Sequence, residues 1–323
     1  MKLIIQPDDG VEPVLRAIRK ARKYIDVLIF RLDRSDIARE LQAAVERGVS
    51  VRALTAHTNR GGDKVLRKLE MQLLEGGVTV SRTADDLVRY HGKMMIVDNR
   101  VLHVYGFNFT SLDIQKSRSF GVITKNPRLV QEASKLFAAD FDRQPYSPAY
   151  NRLVISPENA RDRLAQFLRG ARRELLIYDP GLTDDAMLRI LTQKMRAGVD
   201  VKILGKVEGK WGLKCWDKYP GKRLHVRAIV RDGRRAFIGS QSLRKLELDK
   251  RREVGVIITD LKVVKKLRAV FEEDWAHSQA GKKAAKKAEK AEKAQKDKDR
   301  EKSRADKPEK NEKKDLKELP AAS

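Results

Sequence analysis

Apolar and polar positions alternate in blocks along this chain, and the blocks recur. Ile25-Asp26-Val27-Leu28-Ile29-Phe30 predicts a buried strand. Ile37, Leu41, Ala44 and Val45 then fall at helical spacing, and Gly48 follows where a helix ends on a left-handed residue. Val49 to Leu54 predicts the next strand. The same order returns in the second half. Leu175-Leu176-Ile177-Tyr178 predicts a strand, Met187, Ile190, Leu191 and Met195 a helix, Gly198 its end, and Val199 to Leu204 another strand. Pro7 and Pro157 open the two halves and keep the offset of Gly48 and Gly198. Strands alternating with helices predict an α/β fold, with mixed, mostly parallel sheets covered by helices on both faces. A repeat this long is not a solenoid; it predicts two repeated α/β/α sandwich lobes.

The first lobe is expected over 1–147 and the second over 148–277, with the boundary where Pro, Tyr and Ser cluster from Pro145 to Asn151. Residues 278–323 are Lys/Glu/Ala-rich, with almost no large apolar residue before Leu316. They predict a disordered tail or a fluctuating charged helix. Of the 323 residues, 41% are hydrophobic, enough for a core over most of the length. No apolar run reaches membrane-spanning length, and Met1 to Pro7 is too short for a secretory signal. A single cysteine, Cys215, excludes an internal disulfide and fits a reducing compartment. A cytoplasmic chain is expected, with peripheral contact to an anionic membrane left open. No zinc-like Cys/His cluster and no Gly-rich nucleotide loop is present, so no metal and no cofactor is expected.

The net charge is +25. Residues 281–323 hold 16 Lys/Arg and 10 Asp/Glu, which leaves the remainder basic by itself at +19. Such a surface attracts polyanions: nucleic acid, an anionic membrane or a phosphorylated substrate.

Late in each half a polar motif enters a strand. The first is Tyr90-His91-Gly92-Lys93-Met94-Met95-Ile96-Val97-Asp98, and the second is Leu224-His225-Val226-Arg227-Ala228-Ile229-Val230-Arg231-Asp232. Both read His-x-Lys/Arg, four residues, Asp. One match is weak; two at corresponding places in two repeats are strong. Residues two apart on a strand face the same way, so His91 projects with Lys93 and His225 with Arg227. An imidazole beside a cation suits an anionic phosphate: the cation binds nonbridging oxygens and the imidazole approaches phosphorus.

On these motifs the chain resembles the phospholipase D superfamily, over about residues 1–277. The family signature, His-x-Lys-(x)4-Asp-(x)6-Gly-Ser-x-Asn, occurs twice in most members. Here Tyr105-Gly106-Phe107-Asn108 keeps the Asn without Gly-Ser, and Gly239-Ser240-Gln241-Ser242 keeps Gly-Ser with Ser for Asn. The resemblance implies lobes related by a pseudo-two-fold axis and one site between them, so no oligomer is required. It implies that His91 attacks phosphorus to form a phosphohistidine. His225 would protonate the leaving alcohol and then activate the acceptor, without metal. Lys93, Arg227, Asn108 and Ser240 would hold phosphoryl oxygens, and Asp98 and Asp232 would support the structure. In the family an acidic residue follows each motif and orients the opposite histidine. Glu253 fills that place in the second half and Ser119 stands there in the first. His91 is thus expected to have its carboxylate, and His225 to lack one.

The resemblance implies a phosphodiesterase that hydrolyses or transfers a phospholipid phosphodiester. A nuclease on the same scaffold is the alternative, because DNA and RNA present the same bond. Arg227, Ser119 and Ser242 keep a third reading, a catalytically impaired anion-binding protein. The stretch Lys210 to Lys222 carries Trp211 and Trp216 among lysines. It suits a membrane interface, a lipid head group or stacked bases, or else packing on the domain. His57, His103 and His277 are expected at the surface or in packing, and Trp275 in the core with Leu267, Val270 and Phe271.

Overall fold

Each half supplies its own buried strands and amphipathic helices, and each builds a sheet around them. The computed structural model describes residues 1–58, 63–208, 213, 215–221 and 223–305. The first half begins with β1 (Lys2–Gln6), α1 (Glu12–Arg19), β2 (Tyr24–Ile29), α2 (Ser35–Glu46) and β3 (Ser50–Thr55). It continues with α3 (Asp63–Glu75), β4 (Thr79–Arg82), β5 (Arg89–Tyr90), β6 (Met94–Val97), β7 (Val101–Tyr105), α4 (Ser111–Lys116), β8 (Ser119–Thr124) and α5 (Pro127–Phe141). The second half holds β9 (Leu153–Ser156), α6 (Ala160–Arg169), β10 (Glu174–Leu182), α7 (Asp185–Arg196), β11 (Asp200–Val207) and β12 (Trp216–Asp217). Then come β13 (Arg227–Arg231), β14 (Arg235–Gly239), α8 (Lys245–Asp249), β15 (Arg251–Ile258) and α9 (Leu261–His277).

Among the described residues one sheet has the order β1-β8-β7-β6-β2-β3-β4. The other has the order β12-β11-β10-β13-β14-β15-β5, with β9 paired to β15. The sheets are mixed, as expected, but not mostly parallel. Parallel pairing is confined to β2 with β3, β3 with β4, β10 with β11, β11 with β12, and β15 with β5. The physical reason is a hairpin in each half: β6 turns into β7 and β13 into β14. Positive φ at Asp98 and Asn99, and at Asp232 and Gly233, makes those turns tight. The inner faces of both sheets share one buried cluster with α5 and α9, including Met94, Leu102, Leu176, Val230, Phe137 and Phe271. α1 and α2 cover the outer face of the first sheet, and α6 and α7 that of the second. Trp275 is partly buried against the shared inner cluster, stacked 6.1 Å from Phe271.

The halves interlock within one compact unit, Met1–Ala280. β5 comes from the first half and extends the second sheet. A Cβ at Gly106 would lie 3.0 Å from the Phe120 carbonyl oxygen and 3.2 Å from that of Gly239, so glycine permits the halves to approach here. Two arginines, one buried and one partly buried, bind across the join. Arg252 lies 3.1 Å from Asp140 at the end of α5 and also pairs with Glu158. Arg118 lies 3.0 Å from Asp274 on α9 and 3.3 Å from Asp8.

The Lys/Glu/Ala-rich stretch continues as α10 (Gln279–Ala305). Of the two states expected for it, the described part is helical, in keeping with the propensities of Ala, Lys and Glu; 306–323 lie outside the described residues. No described helix is long and apolar enough to cross a membrane.

Arg252→Ala leaves the buried Asp140 carboxylate without its cation. The expected loss is about 3–5 kcal/mol of unfolding free energy, measured by urea denaturation. A loss of less than about 1 kcal/mol would place this ion pair in the class of exposed, weak ones.

Candidate functional site

Strand pairing across the join delivers both histidines. Arg89 and Tyr90 of β5 run beside Arg251 and Arg252 of β15. The next two amides, His91 N and Gly92 N, donate to the Arg252 carbonyl oxygen at 2.7 and 3.0 Å. On the opposite side Leu224 bridges Arg118, and His225 N donates to the Arg118 carbonyl oxygen at 3.1 Å. Each motif is therefore stitched to the half that does not contain it.

Around His91 the contacts are complete. Its Nδ1 lies 3.0 and 2.9 Å from the two carboxylate oxygens of Glu253. A carboxylate there requires the proton on Nδ1 and leaves the lone pair on Nε2. Lys93 Nζ lies 2.9 Å from that Nε2 and donates to the His91 carbonyl oxygen at 2.6 Å. The Phe30 ring meets the imidazole edge-on at 4.5 Å.

Around His225 the partner is Asp113. Its Oδ2 is 3.3 Å from His225 Nδ1, an ion-pair distance without hydrogen-bond alignment. Asp113 is buried and held by Asn108, whose backbone N donates at 2.8 Å and Nδ2 at 2.7 Å, and by Arg223 Nη1 at 2.5 Å. Arg227 Nε donates to Ser242 Oγ at 3.1 Å, and its Nη2 is 3.9 Å from Glu247. Arg227 Nη1 is buried without a hydrogen-bond partner.

Burial governs the proton affinities. It pushes both imidazoles well below the usual histidine range, with Lys93 and Arg227 repelling the charged form of each. Both cations act on both rings, which makes the two motifs one electrostatic unit. Burial brings the Lys93 ammonium down to about 7, opposed by Glu253 and aided by Arg227. Glu253 is raised by burial, against the pull of Lys93.

The structure therefore brings together His91, Lys93, His225, Arg227, Asn108 and Glu253 from the expected set. It places Asp98 and Asp232 apart and turns Ser240 to the backbone. Asp98 and Asp232 close the far ends of the motif strands. Asp98 accepts from the backbone of Arg22, Lys23 and Tyr24, and Asp232 from that of Arg172, Arg173 and Glu174. Ser240 Oγ donates to the Val254 carbonyl oxygen and accepts from Val254 N, so it props β15 and is not aimed at an anion.

The expectation that His225 lacks a carboxylate is corrected by Asp113. It stands five residues after Asn108, where Glu247 stands five after Ser242; that shared offset was the available signal. Comparison of Ser119 with Glu253 looked six residues too late. Trp216 is partly buried against the second-half core, and Trp211 lies outside the described residues. His57, His103 and His277 take no part in the site. His103 is buried, and the others are exposed near Asp85 and the Glu273 carbonyl. Among the described residues no group of His, Cys, Asp and Glu could hold a metal ion.

A family model described as "Cardiolipin synthase, PLD-like domain" matches residues 14–141 and 164–275. The chain is 30% identical over 140 residues to the mitochondrial cardiolipin hydrolase of Homo sapiens, covering 42% of this chain and 51% of that protein. It thus spans about half the length of that relative. It is 21% identical over 341 residues to cardiolipin synthase 1 of Bacillus cereus, covering 86% of this chain and 66% of that one. The crystal structure of phosphatidylserine synthase from Haemophilus influenzae shares the fold, with a TM-score of 0.65 at 10% identity and 86% of each chain covered.

Asp113 favours the charged form of His225. Asp113→Asn is therefore expected to move the His225 titration to still lower pH, read from its ring nitrogen shifts by NMR. An unmoved titration would show that Asp113 does not act on this ring.

Proposed function

The chain belongs to the phospholipase D-like family, and on that premise we propose that it cleaves phosphodiesters through histidine attack on phosphorus. One observation carries the proposal. A buried imidazole, His91, and a partly buried one, His225, each face a carboxylate from the opposite half at Nδ1, and each belongs to a motif with a buried cation. In the proposed reaction the nonbridging oxygens draw Lys93 Nζ away from His91 Nε2 and meet the free Nη1 of Arg227. His91 Nε2 forms a bond to phosphorus as the bond from phosphorus to the leaving oxygen breaks. His225, protonated at Nε2, gives its proton to that oxygen. The diester's own negative charge offsets the cations that keep His225 neutral in the empty site. Neutral again, His225 takes a proton from water or an acceptor alcohol, whose oxygen attacks phosphorus and releases His91. Lys93 and Arg227 meet the charge on pentacoordinate phosphorus, and no step calls on a metal.

A phospholipid is the proposed substrate, supported by likeness to proteins named cardiolipin hydrolase and cardiolipin synthase. Water as acceptor gives hydrolysis and an alcohol gives transfer; the product mixture in excess glycerol distinguishes them. Nucleic acid is the second reading, favoured by the +19 charge outside residues 281–323.

His91→Ala is expected to lower phosphatidylglycerol turnover by about a thousandfold or more, with chelator present throughout. Undiminished turnover in the variant, or loss of wild-type activity to the chelator, contradicts the scheme. The pH profile supplies a separate check. Lys93 titrates at about 7 in the free protein, so kcat/KM is expected to fall as pH rises through that value. Lys93→Arg keeps its charge and should remove that limb. A limb that persists in the variant belongs to another group.

A further inference from the structure

Arg223 stands two residues before His225, and both side chains meet the same carboxylate. Arg223 Nη1 donates to Asp113 Oδ1 at 2.5 Å and to Ser117 Oγ at 2.6 Å. The backbone here is fixed by other bonds. Arg118 N donates to the Arg223 carbonyl oxygen at 2.9 Å, and His225 N donates to the Arg118 carbonyl oxygen at 3.1 Å. Residues two apart on an extended segment project the same way, so guanidinium and imidazole reach Asp113 from one side. The Arg223 side chain is 35% exposed and that of Asp113 2%, so the cation is the partner with room to move.

A carboxylate offers about four lone-pair positions, and the occupied ones account for the loose contact with His225. Asp113 Oδ2 accepts from both N–H groups of Asn108, and Oδ1 accepts from Arg223. His225 Nδ1 is left at 3.3 Å from Oδ2 without hydrogen-bond alignment. The first half supplies the comparison. The arginine two residues before His91 is Arg89, and its guanidinium lies over the Phe30 ring at 5.7 Å. Arg251, the arginine beside Glu253, stays 4.0 Å away, and both Glu253 oxygens come within 3.0 Å of His91 Nδ1. Among the charged groups facing His225, Asp113 favours the imidazolium, while Arg227, Lys93 and Arg223 oppose it. Arg31 and Asp33, in the cleft beside Arg223, offset each other.

We propose that Arg223 is a positioning residue: by occupying Asp113 it keeps that carboxylate from pairing with His225 Nδ1. This role rests on the reading of His225 as the group that first gives a proton and then takes one. A ring paired as closely as His91 would release its proton less readily, and Arg223 withholds that pairing.

The test reads the His225 ring itself, by nitrogen NMR of the full chain with no substrate present. R223Q removes a repelling cation and frees Asp113, so the proton affinity of His225 is expected to rise about tenfold or more. R223M, neutral and of similar length, repeats the measurement, so the result does not hang on one variant folding. R223K keeps a cation on Asp113 and is expected to stay within about twofold of the unaltered chain. The D113N background separates action through the carboxylate from direct repulsion. There R223Q is expected to change the affinity by less than about threefold. The His91 ring, whose carboxylate Arg223 does not touch, is the internal control and should not move. An unmoved His225 titration in both neutral variants overturns the proposal, as does a rise in R223K equal to that in R223Q. An R223Q effect of the same size in the D113N background overturns it too, because the cation would then act without the carboxylate. So does an equal shift at His91, which would mark a general loosening. Failure of the reaction scheme would appear elsewhere, in turnover rates that this measurement does not use.

Discussion

Two arginines, the buried Arg252 and the partly buried Arg118, hold the site in register, because each does two things at once. The carbonyl of Arg252 accepts from His91 N and Gly92 N, and the carbonyl of Arg118 accepts from His225 N. The guanidinium of each is anchored in a carboxylate on a helix of the other half, Asp140 for Arg252 and Asp274 for Arg118. The backbone that carries each histidine is thereby tied to the far side of the join. Desolvation cancels much of the Coulombic gain of a buried pair, so the pairs are poor sources of net stability. What they supply is position, and three consecutive residues use it. Along β15, Arg251 reaches Glu247, Arg252 faces the join, and Glu253 meets His91.

The departures from the family signature look like losses one at a time and like substitutions when taken together. Arginine at position 227 is longer than the usual lysine, and Ser242 is shorter than the usual asparagine. The Arg227 Nε bond to Ser242 Oγ shows the smaller side chain receiving the larger one. Ser119 leaves a first-half carboxylate missing, and Asp113 provides one from α4, earlier in the chain. It reaches His225 less directly than Glu253 reaches His91, at 3.3 Å against 2.9 Å and without hydrogen-bond alignment. The two histidines are therefore unequally held. The firmly held ring is the one proposed to attack, where a fixed tautomer matters most. The looser ring is the one proposed to exchange protons with two different oxygens.

The two-lobed fold and the pairing of the motifs were legible in the chain, because local periodicity reports burial and each motif runs into a single strand, β6 or β13. Ile37 to Val45 and Met187 to Met195 became helices, and the valine-rich runs after Gly48 and Gly198 became parallel strands. Strand direction after each crossover was not legible from alternation alone. It depends on the turns at Asp98 and Asp232, where positive φ folds the chain back on itself. Asp113 escaped notice because a side chain's reach across a join follows from three-dimensional approach, while the signature records only distance along the chain. Ser240 was assigned toward phosphate for the same reason. Its hydroxyl is taken up by Val254 on the neighbouring strand, a partner 14 residues away. The tryptophan-bearing stretch was half legible, since Trp216 packs against the second lobe.

Charge balance ties these parts to the proposed chemistry. The named side chains of the site include four cations, Lys93, Arg223, Arg227 and Arg251, and three carboxylates, Asp113, Glu247 and Glu253. With both imidazoles neutral, the empty site carries one uncompensated positive charge, and burial makes that excess costly. The depressed Lys93 is the visible response, since it is the cation that can release a proton. A phosphodiester monoanion removes the excess and restores the reason for Lys93 to stay charged. As phosphorus bonds to His91 Nε2, the positive charge that builds on the ring is met at Nδ1 by Glu253. That carboxylate is already in contact before any substrate arrives. The site is thus arranged for a charge it does not yet hold, which is the form electrostatic catalysis takes when donors and acceptors need no rearrangement during the reaction.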